Sequence, residues 1–260
     1  MSFFDTHAHL LSLVTTKRLE ADVICNEMWD AEVCGCFNIL LSEKEARNRH
    51  LIDVPFRGNG LILRHIAGIH PHDAAKWDGE DRWIRAMNDE IVAIGEIGMD
   101  FHYRFSSETD QIAVFRRMVT LALDLGKPVV IHGREAEESI VTILGGYPLV
   151  GERVLFHCYT GTKETARRIF DRGWSIGITG IVTFPHADDI REIVRMAPPG
   201  HLCFETDAPY LAPVPHRGKI NRPAYVAEIY RFVSSMTKLP VEEWVARAET
   251  CVRRVFGNVL

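Results

Sequence analysis

The sequence predicts an α/β protein, a (β/α)8 TIM barrel of the metal-dependent hydrolase type, on three observations. Eight short apolar runs alternate with helix-like segments from one end of the chain to the other. The 260 residues match the usual size of such a barrel. Six of the runs stop at a residue able to bind a metal, and a parallel barrel gathers the carboxyl ends of its strands over one pocket.

The runs are read as strands at 3–9, 34–41, 64–70, 91–97, 128–132, 154–158, 174–179 and 202–206. A strand buried on both faces reads as a continuous apolar stretch, as Val129-Val130-Ile131 does before His132. Between strands four and five, Ile112, Phe115, Met118, Val119, Ala122 and Leu125 recur at helical spacing and predict a helix over 106–125. Ser106 or Ser107 caps it, and Gly126-Lys127-Pro128 ends it. Thr162 to Arg172 gives a second helix, closed by Gly173. Two final helices, 222–237 and 240–256, follow strand eight and are expected to cover the outside of the barrel. With no linker, repeat or low-complexity tract, one domain over 1–260 is expected.

A hydrophobic fraction of 47% supports a large core, and a net charge of −5 excludes a strongly basic nucleic-acid coat protein. That charge leaves room for an enzyme with a local basic patch. No apolar stretch approaches the ~18 residues that span a bilayer, so no membrane association is expected and a cytoplasmic location is read. The six cysteines lack a framework spacing; Cys34 and Cys36 are read as small core side chains, not half of a zinc site.

His7 and His9 stand two apart on a strand, a spacing that grips one cation without loop rearrangement. A lone pair of this kind is weak. Glu96, His132, His157 and Asp207 at other strand ends complete a set of four imidazoles and two carboxylates, suited to two borderline divalent cations. One cation takes His7, His9 and Asp207, the other His132 and His157, with Glu96 bridging. Two cations about 3.5–4 Å apart activate a water and stabilise both entering and leaving oxygens of an anionic ester. Asp207 and Glu96 are the catalytic candidates, Asp207 as the base that takes the water's proton.

The chain resembles the TatD family of metal-dependent deoxyribonucleases, among the amidohydrolase-type barrels. The landmarks are Asp5-Thr6-His7-Ala8-His9, Gly68-Ile69-His70-Pro71-His72, Gly95-Glu96-Ile97-Gly98-Met99-Asp100, His132-Gly133-Arg134, Phe156-His157-Cys158-Tyr159-Thr160-Gly161 and Glu205-Thr206-Asp207-Ala208-Pro209-Tyr210-Leu211. The resemblance implies that His7, His9, Glu96, His132, His157 and Asp207 are metal ligands. It also implies hydrolysis of DNA phosphodiesters, often from the 3′ end of single strands. Glu96 supplies the bridge for which wider relatives use a carboxylated lysine.

Around this set, His70 and His72 are expected to contact substrate or support the ligands. Arg134, Arg217, Lys219 and Asn221 are candidates for contact with backbone phosphates, the last three on a proline-rich loop after strand eight. Asp5 either orients an imidazole or bonds at the start of its strand. Asp100 is expected to hold a loop, and Glu205 to bond either a ligand histidine or a loop amide. Tyr103, Phe105 and Tyr210 either stack on bases or pack. A metal-dependent aminoacyl-tRNA deacylase or small-molecule amidohydrolase fits the same ligands; a catalytically silent metal-binding scaffold is disfavoured by the complete set. The cations are Mg2+, Mn2+ or Zn2+: histidine favours zinc, phosphodiester chemistry magnesium or manganese.

Overall fold

The computed structural model describes residues 2–147 and 151–260. Eight strands form one sheet whose neighbours are all parallel and whose spatial order is the sequence order. They are β1 (Phe3–Ala8), β2 (Val33–Leu40), β3 (Ile62–Ala67), β4 (Ile91–Asp100), β5 (Val129–Arg134), β6 (Val154–Phe156), β7 (Ser175–Ile178) and β8 (Leu202–Phe204). Each expected strand is present with its ends displaced by a few residues. The largest extension is β4, which continues past Glu96 to Asp100.

The sheet nearly closes into a barrel, and the seam between β1 and β8 differs from the other junctions. Among the described residues it carries no strand ladder: an isolated bridge joins Ala8 to Ala208, beyond the end of β8, and the Thr6 hydroxyl donates to Phe204 O at 3.2 Å. His9 N donates to Ala208 O at 2.8 Å and Asp207 N to His7 O at 2.9 Å. Asp5, fully buried, accepts from Thr206 N at 2.9 Å and from its hydroxyl at 2.6 Å. Closure therefore rests largely on residues just beyond β8, drawn in by the Asp5 carboxyl, which also accepts from the His7 amide.

Ten α-helices alternate with the strands among the described residues: α1 (Ala21–Asp30), α2 (Glu43–Asn48), α3 (His50–Gly58), α4 (Arg82–Ala86), α5 (Glu108–Asp124), α6 (Glu137–Leu144), α7 (Lys163–Asp171), α8 (Asp188–Met196), α9 (Val226–Thr237) and α10 (Val241–Phe256). Ser107 caps α5 by accepting from Asp110 N, and Thr162 caps α7 by accepting from Thr165 N, each satisfying an orphan amide of the first turn. On α5 the buried face is Val114, Phe115, Met118, Val119, Leu121 and Ala122, all packed in the layer between barrel and helices.

The last helix departs from the outer-layer expectation. Inside the barrel, Phe4, Phe37, Ile39, Ile66, Ala93, Val130, Leu155 and Cys203 form a cluster separate from the outer core. Cys251, Val252, Val255 and Phe256 of α10 belong to that inner cluster. Strand-start residues such as Phe4 and Val130 line it, so α10 plugs the amino-terminal end while the carboxyl ends stay free for chemistry. No helix of the described residues is long and apolar enough to cross a membrane.

Candidate metal centre

The carboxyl-terminal mouth gathers side chains from β1, β4 and β5 and from the turns after β6 and β8. Between Asp5 and Ala8 the pairing of β1 with β2 slips, and His7 and His9 leave that slipped end toward Glu96. His7 Nε2 lies 3.6 Å from Glu96 Oε2 and 3.7 Å from Asp207 Oδ1. His9 Nε2 lies 3.7 and 3.4 Å from the same two oxygens. The other oxygen of Glu96 is 2.7 Å from both His132 Nδ1 and His157 Nε2. One carboxylate thus stands between two sets of imidazoles.

Asp207 takes part through a left-handed backbone, φ 55°, a conformation that aspartate tolerates better than most residues. The turn lets its amide bond His7 O while its carboxylate stays within reach of both β1 imidazoles.

The donor set fits divalent cations. His7 is completely buried, yet neither of its ring nitrogens has a hydrogen-bond partner. Its Nε2 faces two carboxylate oxygens at separations too long for hydrogen bonds, but suited to a cation held between them. His7, His9 and Asp207 form one group with ligand atoms within 4.8 Å of one another, and Glu96, His132 and His157 form another. Imidazole and carboxylate together suit zinc, and carboxylates also take magnesium or manganese.

The charges are mutually supporting. Burial works to raise the pKa of Glu96, but His157, His70 and the bonds from His132 and His157 outweigh it and hold the group well below the ordinary value. Asp207 is likewise lowered against its burial, chiefly by His9 and His157. Burial and the neighbouring His157 lower the pKa of His7, whose ring stacks on that of His157 with centroids 3.9 Å apart. Both carboxylates are therefore ionised and ready to ligate over the whole neutral range.

The surrounding residues divide by what they touch. Of the two expected partners Glu205 bonds the loop amide: Oε1 accepts from Cys158 N at 2.6 Å, while His157 Nδ1, 3.4 Å away, is near it without a hydrogen bond. Its other oxygen accepts from the Thr6 hydroxyl at 3.2 Å. Gly177 makes room for it, since a Cβ there would meet the Glu205 carboxyl at 2.6 Å. Asp5 makes no imidazole contact and serves the seam. His70 Nε2 is 3.5 Å from Glu96 Oε1, and His72 Nε2 is 2.9 Å from Asp100 Oδ2. His70, His72 and His132 form a further group of ligand-type atoms.

Asp100 does more than hold a loop. Oδ1 accepts from the amides of His102 and Tyr103, while Oδ2 lies 3.1 Å from His132 Nε2. The signal was present in the spacing, because Glu96, Gly98 and Asp100 alternate along one strand.

Of the four phosphate-contact candidates, Arg217 and Lys219 are exposed on the loop after β8, Arg217 lying 4.2 Å over the ring of Phe184. Arg134 is half-buried with its guanidinium 4.6 Å over Tyr103. Asn221 requires a correction. It is fully buried, its amide donates to the carbonyls of Thr206 and Tyr210, and its Oδ1 accepts from Arg222 N. With both donors used inside the protein it pins the loop to the turn that carries Asp207, and no phosphate can reach it.

The neighbouring cysteines stand apart from these groups. All six are free thiols, and neither Cys34 nor Cys36 joins a set able to hold a metal.

Comparison with known proteins gives a consistent picture. A family model described as TatD related DNase matches residues 4–257. The uncharacterized metal-dependent hydrolase YabD of Bacillus subtilis is 37% identical, with 97% of this chain and 98% of that protein covered. The 3′-5′ ssDNA/RNA exonuclease TatD of Erwinia amylovora is 35% identical over 74% of this chain and 77% of its own length. Among solved structures, YJJV, a TatD homolog from Escherichia coli, superimposes with a TM-score of 0.84 at 22% identity, covering 98% of this chain and 97% of that one.

Proposed function

The chain belongs to the TatD-related DNase family of metal-dependent hydrolases, and from that premise we propose that it hydrolyses nucleic-acid phosphodiesters, as a 3′-5′ exonuclease preferring single-stranded DNA. The observation that carries the proposal is the division of Glu96, with one oxygen shared by His132 and His157 and the other facing His7 and His9. A bridging carboxylate between two ligand sets is what a two-cation hydrolase needs. The exonuclease named among the relatives supports the choice of bond and substrate.

In this reading His7, His9 and Asp207 would hold one cation and His132 and His157 the other, with Glu96 available to both. When bound, such cations supply Lewis acidity and offset the negative charge of the phosphodiester. Asp207, more open than Glu96 at 14% against 3% exposed, takes the proton of the attacking water. Its lowered pKa keeps it in the basic form at neutral pH. Asp100 fixes the His132 ring from behind by a hydrogen bond, and Glu205 lies 3.4 Å behind the His157 ring, so little reorganisation is required during the reaction. Arg217 and Lys219 meet the backbone of the incoming strand from the rim. Free cysteines throughout fit a reducing, cytoplasmic setting.

The test is an assay of purified protein on 5′-labelled single-stranded DNA with magnesium, manganese or EDTA. A metal-dependent ladder is expected. Release of an amino acid from charged tRNA with DNA left whole would replace this reading by deacylation.

A further inference from the structure

Beside the candidate metal centre lies an apolar surface that the proposed mechanism leaves unused. Tyr103 and Phe105, between β4 and α5, are 51% and 67% exposed. Their rings lie 19° from parallel with centroids 5.7 Å apart. Arg134 stands 4.6 Å over the Tyr103 ring, and His72 meets Tyr103 and Phe105 edge-on at 5.7 and 4.8 Å. Leaving two large adjoining rings in water forfeits the gain of burying them, a gain that a bound partner would recover.

The loop that carries the rings is held in place. Asp100 Oδ1 takes the amides of His102 and Tyr103, and Nδ1 of His102 lies 2.7 Å from Glu135. The Ser106 hydroxyl donates to His72 O at 2.9 Å and accepts from Ala75 N at 3.0 Å. The same Asp100 carboxylate faces His132 and His72. One acid therefore fixes both a ring of the candidate metal centre and the aromatic shelf, with a single imidazole, His72, between them; its centroid is 6.0 Å from that of His132.

A flat ring beside a guanidinium matches one nucleotide: the base stacks on the ring, and the cation meets the phosphate. Continuity with the pocket through His72 favours the substrate itself over a protein or lipid partner as the occupant. Resting on the nuclease reading above, we infer that Tyr103 and Phe105 form a stacking subsite for an unpaired nucleobase adjoining the scissile phosphodiester, with Arg134 on the backbone. A base inside a duplex has both faces covered by its neighbours, so the subsite selects frayed or single-stranded ends.

The experiment compares wild type with the Tyr103→Ala/Phe105→Ala variant on two fluorescent oligonucleotides in EDTA, read by anisotropy. One is oligothymidylate; the other has the same backbone with abasic positions at its 3′ end. About tenfold weaker binding of oligothymidylate by the variant is expected. Wild type should lose a similar factor on the abasic strand, and the variant should discriminate little between the two. Tyr103→Phe/Phe105→Trp should keep wild-type affinity. Because both rings are exposed, the melting temperature of the alanine variant should match wild type. Equal binding of both strands by wild type, or binding by the alanine variant as tight as wild type, overturns the inference. Cleavage by the same samples after adding magnesium or manganese judges the nuclease reading separately. A strand bound through the shelf and left uncut sinks only that reading. A strand cut without dependence on the shelf sinks only the subsite.

Discussion

The Asp100 carboxylate stands 3.1 Å from Nε2 of His132, the imidazole whose Nδ1 is 2.7 Å from Glu96. An acid behind a ligating ring fixes its orientation and basicity, and its loss typically costs about 10–100-fold in activity or metal affinity. Asp100→Asn is expected to lower kcat/KM by that factor. An asparagine oxygen can still accept from the amides of His102 and Tyr103, so melting should move by only a few degrees. Steady-state kinetics with metal analysis checks it; unchanged turnover would detach Asp100 from the site.

Glu96→Ala removes the group shared by both ligand sets. Turnover should fall at least about 10³-fold, and bound metal should drop sharply, because Glu96 presents one oxygen to each set. The fold should persist, since the inner cluster from Phe4 to Phe256 lies at the opposite end of the barrel. Circular dichroism and elemental analysis of one sample check both halves of the expectation. Full activity would end the proposed mechanism.

Metal-free protein should lose stability as pH rises from 6.5 toward 8. Burial works against the charged forms of His9, His132 and His157. Asp207 outweighs it at His9, Asp100 together with Glu96 at His132, and Glu96 together with Glu205 at His157, so all three are raised above the ordinary 6.5, His157 most. The unfolded chain gives up these protons first, so the stability they provide is complete below 6.5 and drains away as pH climbs through the raised values. His7 and His70, shifted down, are neutral in both states over most of this window and contribute little to the slope. Ligation requires neutral imidazoles, so zinc affinity should rise over the same interval. Calorimetry in EDTA and with zinc checks this, and a metal-free melting temperature that climbs with pH contradicts it.

Asn221 and Lys219 sit two apart in the chain and should behave oppositely. Asn221→Ala leaves the Thr206 and Tyr210 carbonyls without donors and should cost about 1–3 kcal/mol of stability. Lys219→Ala, at an exposed position, should leave stability within about 0.5 kcal/mol. It should instead flatten the salt dependence of single-strand binding by about 0.7 for each phosphate no longer neutralised. Denaturant melts and salt titrations of the two variants separate the roles.

Gly177→Ala tests the floor of the site. Its Cβ would press on the Glu205 carboxyl at 2.6 Å and displace it from Cys158 N and His157. Activity should fall at least about tenfold. Wild-type kinetics in this variant would mean that Glu205 has no hold on the ligand ring.

The strands were legible because parallel strands buried on both faces have no polar alternation to blur them, as Ile91 to Ile97 shows. The candidate ligands were legible for the same reason: a polar residue ending such a run stands out. Asp100 was obscured because β4 runs three residues past the expected end, and only the longer strand puts it on the face of Glu96. Asn221 resembled its charged neighbours because its burial depends on a fold-back to Thr206, a contact between segments that no local pattern records. For α10, an apolar stripe reads the same whether it lies along a barrel or plugs its end. Only the cluster with Phe37 and Cys203 distinguishes them.

The seam between the first strand and the turn after the eighth has a consequence for how the enzyme comes into being. His7 emerges from the ribosome early and Asp207 late, and their segments are joined by two backbone bonds, Asp207 N to His7 O and His9 N to Ala208 O, and by the buried Asp5. A nascent chain that has not yet delivered Asp207 has no means of completing the pocket. The proposed nuclease therefore cannot assemble its pocket before Asp207 has been delivered, and catalytic competence arrives only with ring closure.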